Sequence, residues 1–234
     1  MLTSILLQIN LGSDSLANNI QQTVASAPKA MSFWEMILKG GPVMIPIGIL
    51  SIAALYIFTE RYLTIKKASQ LDSNFMNSIK DFIYNGNLDA AKALCRNTDT
   101  PIAKMIEKGL KRLGKPINEI EKSIEDVGKL ELGKVEKNVS ILGTIAGIAP
   151  LFGFLGTIFG VIKIFYNIAL ADNISIGLIA GGLYEKMITS AAGLVIGILA
   201  FAFHHILVHM IDKLIQKMEQ NSIEFIDLIQ DSAE

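Results

Sequence analysis

NVSILGTIAGIAPLFGFLGTIFGVI, residues 138–162, decides the fold, because 25 consecutive residues carry no charge. At about 1.5 Å per residue, a helix of that length exceeds the roughly 30 Å hydrocarbon core of a bilayer. A buried helix of a water-soluble protein rarely stays apolar on all faces for so long. A second run of the same length, MITSAAGLVIGILAFAFHHILVHMI, occupies residues 187–211. A third, PVMIPIGILSIAALYIFT at 42–59, has 18 residues, the short end of what spans a bilayer. The reading is an all-α integral membrane protein with three transmembrane helices and long cytoplasmic helical extensions.

Composition agrees with this. Of the 234 residues 51% are hydrophobic and 18% charged, against about a quarter charged in ordinary soluble domains, and mean hydropathy is +0.44. The formal net charge of −1 points to no nucleic-acid partner. A single cysteine, Cys95, excludes an intrachain disulfide and reads as a reduced thiol. The opening MLTSILLQINL has no preceding Lys or Arg and no convincing small-residue cleavage site before the polar run that follows, so residues 1–41 read as a retained periplasmic arm, amphipathic or loosely ordered.

Direction follows from the basic residues. Arg61 to Lys137 holds 15 of the 21 Lys and Arg, with Arg61, Lys66 and Lys67 just after the first span and Lys134 and Lys137 just before the second. By the positive-inside rule this segment is cytoplasmic, which puts the N-terminus outside and the C-terminus inside. The expected organisation is a first span at 42–60, a cytoplasmic helical domain at 61–137 and a second span at 138–170. A periplasmic turn at 171–176, a third span at 177–211 and a cytoplasmic helix at 212–234 follow. Within the domain, Asn85-Gly86-Asn87 signals a turn, Pro101 a helix start and Gly114-Lys115-Pro116 a break. Ile117, Ile120, Ile124 and Val127 recur at helical spacing, and with no Pro before Pro150 this helix is expected to run unbroken into the second span.

No phosphate loop, CxxC or HExxH motif is present, and an enzyme is not expected. His205 and His209 stand four apart beside His204, but interfacial histidines without a ligand role are far commoner, so neither metal nor cofactor is expected. The informative pattern is Gly143/Gly147, Gly156/Gly160, Gly177/Gly181 and Gly193/Gly197: four GxxxG pairs on the second and third spans. In lipid such glycines let helix backbones approach closely, so these two spans face protein. The first span, with one glycine, reads as lipid-facing.

Within the pair lie Thr157, Lys163, Glu185, Lys186, Thr189 and Ser190. Counted from a hairpin tip at Asp172–Asn173, Thr157 and Ser190 are about 23 and 26 Å along their helices, at similar depth. Thr157 shares a face with Gly153 and Gly160, and Ser190 with Gly193 and Gly197. Those faces form a ring of hydroxyls if they meet in an oligomer; alternatively each hydroxyl bonds back to its own helix. Glu185 is open in the same way. An ionisable group at membrane depth is a functional candidate, yet Lys163 and Lys186 can snorkel outward and leave it at the interface.

The second span, APLFGFLGTIFGVIKIF (149–165), resembles the signature of the ExbB/TolQ/MotA proton-channel family through Ala149, Pro150, Leu151, Gly153, Leu155, Gly156, Thr157, Gly160, Ile162 and Phe165. GGLYEKMITSAAGL (181–194) is similar to the family's glutamate-containing segment at Glu185, Ala191, Gly193 and Leu194, and Glu60–Arg61 closes the first span as in the family. Three positions depart: Ser190 stands where the family usually has Thr, Lys186 where a small residue follows the glutamate, and Leu199 where a proline is common. The resemblance implies an ExbB-like homopentamer in the bacterial inner membrane, with an ExbD-like single-span dimer in its central pore. Proton flow through it would work on a TonB-like protein and so on outer-membrane transport. It implies a pore lined by Thr157, Ser190, Glu185 and Thr189, with Gly153, Gly156, Gly160, Gly193 and Gly197 packing the helices. The alternatives are a TolQ-like envelope-maintenance motor and a non-conducting membrane scaffold.

Overall fold

The computed structural model describes residues 40–170 and 176–231, and the side chains of Leu178 and Glu185 lie outside that description. The N-terminal arm up to residue 39, the hairpin turn at 171–175 and residues 232–234 also lie outside it. The described elements are α1 (Met44–Ala68), α2 (Phe75–Tyr84), α3 (Leu88–Asn97), α4 (Pro101–Leu110), α5 (Ile117–Glu136), α6 (Val139–Leu170) and α7 (Ile176–Asp231). No strand occurs among the described residues. Three stretches are long and apolar enough to cross a membrane: Met44–Ala68, Ile117–Leu170 and Ile179–Asp231. The chain is an all-α, multi-pass membrane protein.

Local chemistry sets the boundaries. Asn87 caps α3 by accepting from the Ala90 N–H at 3.3 Å, and Thr100 caps α4 by accepting from the Ala103 N–H at 3.3 Å, with Pro101 in the first turn. Gly86 (φ 69°) and Gly114 (φ 87°) take the left-handed turns that separate the short helices. One expectation fails. The helix beginning at Ile117 does not run unbroken into the second span, because Lys137 leaves helical geometry (φ −49°, ψ 132°) and Asn138 adopts φ 65°. Asn tolerates the left-handed region better than almost any other non-glycine residue, so a break forms here without Pro or Gly.

The short helices and the distal half of α7 enclose a core of large side chains. Ile65 from the end of α1, Ile79, Ile106, Ile120, Ile124, Leu214 and Phe225 are essentially inaccessible. The Phe225 ring lies directly on Gly109, in space that any Cβ there would occupy. Outside this domain α6 and α7 run antiparallel against each other, and α1 packs beside them with Phe58 stacked on Phe203 at 4.2 Å. The other face of α1 leaves Ile45, Ile49, Ile52, Leu55 and Tyr56 exposed, a surface suited to lipid. At 56 residues α7 is about 84 Å long, nearly three times the hydrocarbon core, so one helix serves both membrane and domain.

Candidate functional site

The α6–α7 contact is built on glycine. A Cβ at Gly193 would sit 2.6 Å from the Ala149 carbonyl oxygen and 2.9 Å from Gly153 Cα, so the two backbones touch. A Cβ at Gly153 would meet the Ser190 backbone at 3.0 Å, and one at Gly156 would meet Thr189 Cγ2 at 2.9 Å. Gly160 accommodates the aliphatic stem of Lys186. Gly197 takes the Pro150 ring, whose Cγ lies 2.5 Å from where a Cβ would be. Pro150 removes the N–H that would bond Ala146, and that carbonyl oxygen also faces Gly197, at 3.1 Å from the same position. Lacking a hydrophobic drive in lipid, the helices gain dispersion contacts and Cα–H···O approaches that a larger residue would prevent. Gly147 and Gly181 meet nothing within 4 Å and play no part in this contact.

The polar residues are distributed along that seam. Thr157 is half-buried, and its Oγ1 lies 3.2 Å from the Gly153 carbonyl on its own helix and 3.4 Å from the Lys186 carbonyl across the seam. The return bond to its own helix therefore exists alongside a second acceptor on α7. Ser190 is half-buried with its backbone against Gly153, one turn from Thr157 on α6. The glycine-bearing faces that carry both hydroxyls are thus turned to each other within one protomer. Thr189 is fully buried and donates to the Gly40 carbonyl at 2.9 Å, which ties the entry of α1 to α7. Glu185 belongs to α7, but its side chain is outside the described residues. Lys163 is exposed. His204 rests over Gly143 and edge-on to His205, and among the described residues no cluster of three or more potential ligands could hold a metal.

A charge network that sequence reasoning missed closes the C-terminal end of α1. Arg61 is buried, is paired with Glu60, and donates from Nη1 to the Lys134 carbonyl at 3.4 Å. Glu131, also buried, accepts from Lys104 Nζ at 3.1 Å and from Lys134 Nζ, and Lys104 binds Asp99 at 3.1 Å. Asp99 in turn lies 3.6 Å from Lys67 on α1. The hydrogen bond from Lys104, then the charges of Lys104 and Lys67, hold the Asp99 carboxyl below the usual range. Bonds from Lys111 and Arg96 do the same for Glu107. Burial, with the Glu107 charge adding to it, pushes the Cys95 thiol up to about 12. The contacts that join separate helices, Arg61 to Lys134 and Lys104 to Glu131, link residues 73 and 27 apart, and only the Glu60–Arg61 dipeptide carried a signal in the sequence.

A model of the MotA/TolQ/ExbB proton channel family matches residues 97–220, more than half of the chain, from the end of α3 to well along α7. The chain is also similar to a provisionally named biopolymer transport protein ExbB homolog of Methanothermobacter thermautotrophicus, with 25% identity over 79% of this chain and 66% of that one. It is 24% identical to the provisionally named ExbB-like 3 protein of Synechocystis, over 72% of this chain and 81% of that one. Against the biopolymer transport protein ExbB of Neisseria meningitidis identity is 23%, over 72% and 84%. The chain thus spans just under two thirds of the first of these relatives and more of the other two.

Proposed function

We propose that this chain, which belongs to the MotA/TolQ/ExbB proton channel family, is an ExbB-like subunit of a proton-motive-force-driven motor of the bacterial inner membrane that energises TonB-dependent outer-membrane transport. The observation that carries the reading is the Thr157 hydroxyl. It stands on a glycine-built seam inside the family-matched region, half-buried and within reach of carbonyls on both spans. A hydroxyl that donates to a carbonyl keeps lone pairs free to accept, so it can take a proton on one side as it gives one up on the other, which is what a group beside a passing proton has to do. In this reading five copies surround an ExbD-like single-span dimer, whose membrane Asp exchanges protons beside Thr157 and Ser190, with Glu185 and Thr189 nearby. Each charge that crosses releases about 2.3 kcal/mol per 100 mV, so several protons per cycle supply useful work to a TonB-like protein. The Lys and Arg clustered between Arg61 and Lys137 support a cytoplasmic C-terminus and a periplasmic N-terminus.

The test is to purify the complex from native membranes and measure its composition. The expected result is five copies of this chain with two of a single-span protein that carries a membrane Asp. A chain that assembles without any single-span partner and supports uptake alone overturns the proposal.

A further inference from the structure

The charge network described above closes into a ring. Arg61 on α1 reaches the Lys134 carbonyl on α5, and the Lys134 side chain holds Glu131. Glu131 holds Lys104 on α4, Lys104 holds Asp99, and Asp99 faces Lys67, back on α1. The ring lies immediately before the Lys137–Asn138 break that separates α5 from the membrane helix α6. The last carbonyls of any helix lack intrahelical donors, and the charged Arg61 fork supplies one of them here. Arg61 and Glu131 are buried, so neither charge can turn to water if its partner is lost. Asn138 is the one non-glycine residue with positive φ among the described residues, and Ile141 donates to its carbonyl at 3.2 Å, so a new helix starts directly behind it.

We propose that Lys137–Asn138 is a joint whose angle is set by this ring, with Arg61 as the positioning residue. Through it the end of the first span fixes how α6, and with it Thr157, leans relative to the polar domain. A straight α5–α6 helix would carry any displacement of the domain along one axis. A joint clamped by α1 sends it to the first span as well.

The test uses pulsed electron–electron spin resonance on the full chain in nanodiscs, with Cys95 replaced by Ala and labels at Lys122 on α5 and Phe154 on α6, both exposed. Labelled subunits are diluted with unlabelled ones so that only intramolecular distances are read. Arg61→Gln is expected to broaden the distance distribution, and Arg61→Lys, which keeps one donor group, to narrow it again. Asn138→Ala disfavours the left-handed turn and is expected to shift the distribution to longer distance as α5 and α6 straighten, whereas Asn138→Gly leaves its centre in place. Asn138 belongs to no ion pair of the ring, so this comparison carries the test if Arg61→Gln fails to assemble. Distributions that coincide with the parent for Arg61→Gln, or for Asn138→Ala and Asn138→Gly alike, overturn the proposal. No ion gradient enters the measurement, so its outcome is separate from that of the motor reading.

Discussion

The two halves of α7 belong to one helix and pack by opposite rules. From Thr189 to Gly197 the helix meets α6 through glycines, backbone against backbone, and its large residues Leu194 and Val195 point outward. From Leu214 to Leu228, past the third span, it buries Leu214, Met218, Phe225 and Leu228 in a core of large side chains. Solvent explains the difference. In water, burying a Phe removes apolar surface from contact with the solvent, whereas in lipid a Leu gains nothing by leaving the tails for a neighbour. Only close approach is left to hold the membrane half together, so there the smallest residues matter most.

The comparison can be broken most forcefully in the water-facing half. Phe225→Ala is expected to cost about 3–5 kcal/mol, measured by denaturant unfolding of the full chain in detergent micelles. A loss under about 1 kcal/mol would mean that the distal core is not what holds that half. In the membrane half, Gly193→Ala adds a methyl group where the Ala149 oxygen already stands, and overpacking of this kind costs about 1–3 kcal/mol. Gly181→Ala, with nothing within 4 Å, is its control and is expected to be neutral or slightly stabilising. If the two alanines behave alike, the close approach of α6 and α7 is not a determinant.

In the polar half, Asp99 and Glu107 make stability sensitive to acid. Asp99 and Glu107 hold their protons less readily in the folded chain than in the unfolded one. Their contribution is therefore complete above the unfolded carboxyl range near pH 4, and is lost as pH falls through the lower folded values. Thermal unfolding should be level from about pH 7 to about pH 5 and decline below about pH 4, with a smaller decline in Lys104→Met. A midpoint in Lys104→Met that falls as steeply as the parent's contradicts the assignment to the carboxylates that Lys104 pairs, Asp99 and Glu131. The smallest effect concerns Cys95, whose thiol is buried and pushed up to about 12. It should resist maleimide at pH 7 in the folded chain and react only on unfolding.

How much was legible in advance follows the same division. The spans were readable because lipid demands long charge-free runs, and residues 138–162 and 187–211 satisfy that without any tertiary information. The glycines flagged the α6–α7 pair for the same reason. The break at Lys137–Asn138 was not readable, because neither residue is an obligate helix breaker. Nor was the role of Thr189, whose acceptor, the Gly40 carbonyl, is 149 residues away and on the backbone. The Arg61–Glu131 ring was hidden because charged residues between two spans read first as orientation signals, and only folding shows that two of them are buried.

If the hydroxyls on the α6–α7 seam carry the proton, their removal stops the motor without dismantling it. Thr157→Val and Ser190→Ala, singly and together, are compared with the parent for assembly in the membrane and for the proposed TonB-dependent uptake by whole cells. The expected result is complexes of unchanged composition, with uptake lost in Thr157→Val and reduced in Ser190→Ala. Uptake at the parent level in the double variant would contradict it, and would leave the seam as packing alone.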